Sequence, residues 1–347
     1  HLDGFIKNLG TGQDNPNVKD RFVRFSSLLK LSDSWKAAFK AEYGKQDSKA
    51  PLATQLVHCP PPAPFSAATT FSCAYALATG AESEFDYRRS SNSGEKGDVE
   101  AYEYVFSVER DNIDGPGIVA QASYSKHDFL LAADTDGTDA QFFTYNTQEK
   151  LKQKTFELRM TSPADSKLEW ILGAYYLDSD LRVGTTLNFP FATVLLGGPL
   201  ASLAPFAPLG GDILLNQGEK AFSAFGSVTY PFTDSFSATI GLRYTHSKKT
   251  GVQSATNVAS NDPYGLSVTP LPAALQPLAA FLTGFNDHTT TAKVTDSDFL
   301  PSVSLQYKAT PNVSLYAKFS EGFKAGGFDA VELTGILSRL TFAPETV

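Results

Sequence analysis

The sequence predicts an all-β protein: a transmembrane antiparallel β-barrel with long extracellular loops and short periplasmic turns. Three observations carry this prediction. Tight connections at Leu31–Ser34, Asp111–Gly115, Ser162–Lys167, Pro231–Ser235 and Ala309–Asn312 alternate with long polar or irregular stretches near 46–99, 131–150, 183–217, 249–292 and 325–341. The segments between them alternate apolar and polar residues with period two, the mark of a strand with two unlike faces. Aromatic residues recur eight positions apart on the apolar face, at Trp35 and Tyr43, Phe222 and Tyr230, and Phe236 and Tyr244. A water-soluble sandwich has no reason to send every second connection far out on one side. A barrel whose two rims meet different compartments does.

The strands follow in order. Phe22–Leu31 opens the series, and Ser34–Gly44 sets Trp35, Ala37, Phe39, Ala41 and Tyr43 against Ser34, Lys36, Ala38, Lys40 and Glu42. Softer patterns cover Tyr102–Val108, Ile118–Tyr124, Thr155–Thr161, Leu168–Tyr176 and Phe222–Tyr230. The cleanest is Ser235–Thr245, with Phe236, Ala238, Ile240, Leu242 and Tyr244 on one face and Ser237, Thr239, Gly241, Arg243 and Thr245 on the other. Ser302–Lys308 and Val313–Phe319 complete ten strands in five hairpins. Eight residues span roughly 27 Å along a strand. Tilted by about 40°, that is roughly 20 Å along the membrane normal, near the ~25 Å apolar band of outer-membrane barrels. The opposite face is wet, with Arg24, Lys36, Lys40, Glu42, Glu157, Arg159, Arg243 and Lys318, as a polar lumen requires.

Composition agrees. The 347 residues are 42% hydrophobic and 19% charged, with net charge −8, and hold no apolar run long enough for a transmembrane helix. The acidic balance and the lack of a basic stripe argue against a nucleic-acid partner. Cys59 and Cys73, the only cysteines, fall in the first long stretch and read as a loop-closing disulfide of an oxidising compartment, with two free thiols as the alternative. His1-Leu2-Asp3-Gly4 is neither a charged n-region nor an apolar h-region, so the chain is expected to start in mid-protein.

Three segments together resemble the β-barrel of TonB-dependent outer-membrane receptors. They are Phe156-Glu157-Leu158-Arg159-Met160-Thr161-Ser162 leading to Leu168-Glu169-Trp170-Ile171-Leu172-Gly173-Ala174-Tyr175-Tyr176; Ala224-Phe225-Gly226 leading through Thr233-Asp234 to Gly241-Leu242-Arg243-Tyr244-Thr245; and Leu315-Tyr316-Ala317-Lys318-Phe319-Ser320-Glu321-Gly322-Phe323-Lys324-Ala325-Gly326-Gly327-Phe328. Each is soft alone; their order on hairpins is more specific, and the resemblance is weakest through 46–99. It implies a location in the bacterial cell outer membrane, contact with outer-membrane lipid and lipopolysaccharide, and energised uptake of a scarce small molecule such as a ferric siderophore. It also implies a plug domain inside a 22-strand barrel and a TonB complex that acts through the plug region. No plug, TonB-contacting segment or C-terminal closing strand is recognisable here. Ten to twelve strands are about half such a barrel, so residues 1–347 are expected to be a partial receptor barrel. A passive porin-like channel, or a structural barrel docking a surface or outer-membrane protein, is the alternative.

Chemistry is sparse. The five histidines are scattered, and no phosphate-binding loop or nucleophile elbow appears, so neither an enzyme nor a cofactor or metal site is expected. Asp134-Thr135-Asp136-Gly137-Thr138-Asp139 resembles the start of a calcium loop without its later glutamate and reads as an acidic turn. Phe85, Tyr87, Arg88 and Arg89 form the most ligand-like cluster, because guanidinium forks suit carboxylate, catecholate or phosphate and aromatic rings stack. Arg159, Arg243 and Lys318 are expected to face the lumen and the plug. The apolar stretches Phe189–Leu215 and Leu271–Phe285, the second a short amphipathic helix, need a cover and are expected to pack on each other.

Overall fold

The computed structural model describes residues 3–52, 55–59, 62–64, 71–79, 86–92, 94–190 and 196–347. Ten long strands dominate: β1 (Asn17–Lys30), β2 (Trp35–Lys49), β3 (Lys96–Arg110), β4 (Gly117–Asp134), β5 (Thr144–Thr161), β6 (Glu169–Phe189), β7 (Leu209–Pro231), β8 (Phe236–Ser260), β9 (His288–Thr310) and β10 (Val313–Ser320). Each pairs antiparallel with its neighbour in sequence, and the short strand Val268–Pro270 adds to the upper end of β8. Among the described residues β1 and β10 end the sheet and do not pair with each other. Every strand predicted from alternation overlaps one of the ten.

Register carries the two faces across the whole sheet. One level reads Phe106, Ala122, Phe156, Tyr176 and Phe222 from β3 to β7. The level beside it, on the other face, reads Ser107, Gln121, Glu157, Tyr175, Ser223 and Thr245. The apolar side chains stand open, with Ile240 65% and Phe299 60% exposed, a surface that water does not tolerate at this extent and lipid does.

Two of the short turns, at Leu31–Ser34 and Pro231–Ser235, are built alike. Leu31 N–H bonds Trp35 O at 2.8 Å and Phe232 N–H bonds Phe236 O at 2.9 Å. A hydroxyl closes each turn, Ser32 Oγ accepting Trp35 N–H at 3.2 Å and Thr233 Oγ1 accepting Phe236 N–H at 2.9 Å. Small polar residues in these positions compete for the backbone and stop the ladder.

The long connections need correction. Of the stretches read as loops, 46–49, 96–99, 131–134, 144–150, 183–189, 209–217, 249–260 and 288–292 lie in the long strands. The apolar–polar alternation reports only the lipid-facing part of each strand. Above it both faces are polar or covered, so the alternation fades while the hydrogen-bond ladder continues.

What lies between the strand ends packs into small cores. The 3₁₀ helix Gly198–Phe206 and α2 (Gln276–Thr283) meet through Leu203, Leu209, Leu271 and Ala279, all buried, so these two apolar stretches do cover each other. Residues 191–195 of the first lie outside the described part. Residues 326–342, read from sequence as an extracellular loop, instead fold back against the face opposite the lipid. There Phe328 and Leu340 pack with Val183, Leu215 and Ala292, and a Cβ on Gly251 would stand 2.8 Å from the Phe328 ring.

Candidate functional site

Two regions hold the chemistry. The first is the polar face of the sheet. Lys36 reaches Glu109 at 2.9 Å, and Lys40 bridges Glu103 at 2.7 Å and Glu42 at 3.4 Å, with Arg24 also on Glu42. Arg159 stands 3.6 Å from Glu157 and Lys249 stands 3.9 Å from Glu219. Arg243 donates to Ser223 Oγ at 3.0 Å and Thr245 Oγ1 at 3.3 Å, with its guanidinium 5.4 Å over the Phe225 ring. Lys318 pairs across to Ser304 on the same face. Such half-exposed pairs contribute little stability one by one. Their effect is a wall lined with oriented donors and acceptors of both signs.

The second region lies above the membrane-facing band, where residues far apart in sequence converge. Cys59 and Cys73 are bridged, tying the loop to α1 (Phe71–Thr79). The Tyr75 ring meets Phe142 edge-on at 5.0 Å. Arg88 and Arg89 form a two-residue strand on Lys7–Asn8. Successive side chains of a strand face opposite ways, and this separates the two arginines. Arg88 turns outward, 3.4 Å from Asp86, beside Tyr87, which is 62% exposed at φ +64°. Arg89 is buried, its two terminal nitrogens donating to Glu95 at 3.0 Å and to Leu52 O, while its Nε is buried without a hydrogen-bond partner. Phe85 lies outside the described residues.

Around Arg89 sits a polar network that the sequence did not announce. Glu95 also accepts Ser91 Oγ at 2.9 Å and Asp134 N–H at 3.2 Å, and Ser91 Oγ accepts Asn8 Nδ2 at 2.7 Å. Asp134 is fully buried and accepts Asn92 N–H at 2.8 Å and Asp136 N–H at 3.1 Å. Burial, then the Asp136 charge, push its carboxyl up to about 8. The acidic turn is thus closed on itself, since Asp136 accepts Thr138, Phe142 and Phe143 N–H groups. Tyr264, from the β8–β9 connection, has its hydroxyl pushed up by burial and then by Glu95. The network's long-range contacts, Arg89 to Leu52, Asp134 to Glu95 and Asn92, and Asn8 to Ser91, join positions 37 to 83 residues apart, which no local pattern encodes.

A third cluster seats the folded-back segment. Gln253 Nε2 donates to Glu332 O at 3.0 Å, and its Oε1 meets His288 Nε2 at 3.1 Å. Burial pushes the Glu332 carboxyl up, but the Thr334 hydroxyl, the Thr334 and Gly335 N–H groups and the nearby His288 outweigh it and hold the group below the usual range.

Comparison with known proteins places this architecture. A family model described as "TonB dependent receptor-like, beta-barrel" matches residues 14–347. Among solved structures, the ferric yersiniabactin uptake receptor FyuA of Yersinia pestis is similar over 99% of this chain and 44% of its own, at 14% identity and a TM-score of 0.69. The siderophore receptor PiuA of Acinetobacter baumannii is similar over 95% of this chain and 46% of its own, at 15% identity and a TM-score of 0.61. The ferric-catecholate import receptor Fiu of E. coli K12 is similar over 89% and 48%, at 13% identity and a TM-score of 0.54. The chain thus spans less than half the length of these receptors, and at such identity the likeness is one of fold. Given the family match across nearly its whole length, together with the lipid-facing and polar faces of its sheet, the chain belongs to the TonB-dependent receptor β-barrel family, a family of outer-membrane transport receptors.

Proposed function

We propose that the chain forms a sector of an outer-membrane receptor that captures a scarce ligand, of the ferric-siderophore class, at its long-loop rim and passes it inward by TonB-driven uptake. The observation that carries this is the pairing of a continuous apolar face with a charged face, Lys36 to Lys249, across one antiparallel sheet. The apolar face suits lipid, and the charged one suits a plug and a polar ligand. The open edges β1 and β10 support a larger closed barrel, because each unpaired backbone group in lipid costs several kcal/mol. Tyr87 and Arg88 are the loop residues proposed to meet ligand. Arg159, Arg243 and Lys318 are proposed to face the lumen and the plug.

The test uses the protein as its own cells make it. Uptake of radiolabelled ferric siderophores under iron limitation should fall to background when the gene is deleted, and again when TonB is deleted. Uptake that persists without TonB, or a steady open-channel current of the purified protein in a planar bilayer, would overturn this reading in favour of a passive channel.

A further inference from the structure

The folded-back segment 326–342 meets the sheet around one imidazole, and each nitrogen of that ring faces an acceptor. His288, the first residue of β9, holds Nδ1 2.7 Å from Asn286 O and Nε2 3.1 Å from Gln253 Oε1. A backbone carbonyl can only accept. The Gln253 amide is oriented by its other end, since Nε2 donates to Glu332 O at 3.0 Å and points at Asp329 O at 3.5 Å. Turned over, it would set Oε1 against two carbonyl oxygens, so Oε1 is the atom that meets the ring. A neutral imidazole has one N–H and satisfies one of these acceptors; the charged ring donates to both. We propose that His288 is a pH-sensitive latch: its imidazolium holds residues 326–342 against the lumen face, and loss of one proton shifts them toward release. The proposal rests on the reading above, that this face lines the lumen.

The surroundings favour the charge. Glu332 Oε2 lies 3.9 Å from His288 Nε2, with the two side chains only 4% and 11% exposed. A carboxylate so buried is costly unless it is partnered, and Glu332 accepts Thr334 and Gly335 N–H at 2.9 and 2.6 Å. Burial pushes its carboxyl up, but these bonds and the Thr334 hydroxyl outweigh that, so it stays an anion wherever an imidazole titrates. The other groups packed on the ring are neutral. From β8 they are Gln253 and Ala255, the second paired with His288 itself. From the segment comes Gly335, where a Cβ would stand 2.8 Å from the ring. Asp287, its chain neighbour, turns its carboxylate to Asn257 N–H and Nδ2 at 2.9 and 3.0 Å. Among the described residues Glu332 is the sole group within ion-pair distance of His288.

Docking favours the protonated ring, so its hold is complete below the imidazole range and fades as pH rises through it, from about 5 to 8. A neutral ring leaves one acceptor unpaired inside a closed contact, which costs more than the bond itself. The segment's other ties carry no imidazole: Thr290 Oγ1 donates to Gly335 O at 3.1 Å, Asn286 N–H to Leu333 O at 3.1 Å, and Gly326 N–H to Asp296 at 3.0 Å. Release uncovers Val183, Leu215 and Ala292, an apolar strip on an otherwise polar wall. The width of the lumen beneath the long loops thus follows the charge of one side chain.

The experiment uses the protein purified from its own outer membrane in mild detergent. Hydrogen exchange of residues 326–342, divided by the intrinsic rate at each pH, should show protection falling on the order of tenfold between about pH 5 and 8, while β7 and β8 keep theirs. In His288→Gln that dependence should vanish, with heat-modifiable gel mobility reporting the fold of the variant. Nitrogen-15 NMR of histidine-labelled wild type reads the ring directly and needs no variant to fold. Both His288 nitrogens should carry a proton while the segment is docked, and protection should fall as the second proton is lost. A ring that loses its proton with protection unchanged, or a pH dependence kept in folded His288→Gln, would overturn the latch. Neither measurement reads transport, so TonB-dependent uptake of ferric siderophore can stand beside a failed latch, and a working latch beside failed uptake.

Discussion

Asp134 shows how a residue's role depends on what folds over it. In sequence it begins an acidic turn; in the structure it is fully buried under Asn92 and Asp136. Its carboxyl, normally at 3.8, is raised to about 8 by burial and by the Asp136 charge. A carboxyl raised in this way takes up a proton on folding, so its contribution to stability is full below about pH 4 and is lost as the pH rises toward 8. Asp134 lies ten residues above Tyr124, outside the lipid-facing part of β4. Hydrogen exchange of residues 86–92 and 94–95 should therefore quicken between pH 5 and 8 in the wild type. Asp134→Asn should flatten that dependence and slow exchange at pH 8, by roughly 1 kcal/mol of local stability; an unchanged pH profile in the variant would sink the assignment. Arg89 carries the same lesson. Arg88-Arg89 reads as one cationic fork, but strand geometry sends one side chain out and buries the other on Glu95.

At the scale of elements, strands were legible and their upper ends were not. Ser235–Thr245 announces β8 because one face must be apolar for lipid. Thr250–Ser260 continues the same strand without that constraint and carries no such pattern. The contact between Gly198–Phe206 and α2 was legible as a need, since exposed Leu and Phe in both stretches demanded a cover. The inward fold of residues 326–342 was not, because it depends on a space at Gly251 that only the assembled sheet creates. Phe328 fills that space, and Phe328→Ala should cost about 3 kcal/mol of local docking. Amide exchange of residues 326–342 should accelerate accordingly while β7 and β8 stay protected. Equal protection in both proteins would mean that the segment is held by Gln253 and Glu332 instead.

For the whole molecule, the division between faces is the strongest determinant. Ile240, midway between Phe236 and Tyr244 on the lipid side, should not accept a charge. Ile240→Arg should destabilise the folded protein in lipid by about 2–4 kcal/mol, read as a lower denaturant midpoint in reconstituted bilayers. Tolerance of arginine there would place β8 away from the membrane. The sequence by itself determined the strand set, the short turns and which face meets lipid, because period-two alternation and aromatic spacing are local consequences of crossing a thin apolar slab. Tertiary structure decided how far the strands rise, which arginine stays outside, and where the folded-back segment lies. Those features depend on register between strands tens of residues apart, and register is fixed only when the sheet is assembled.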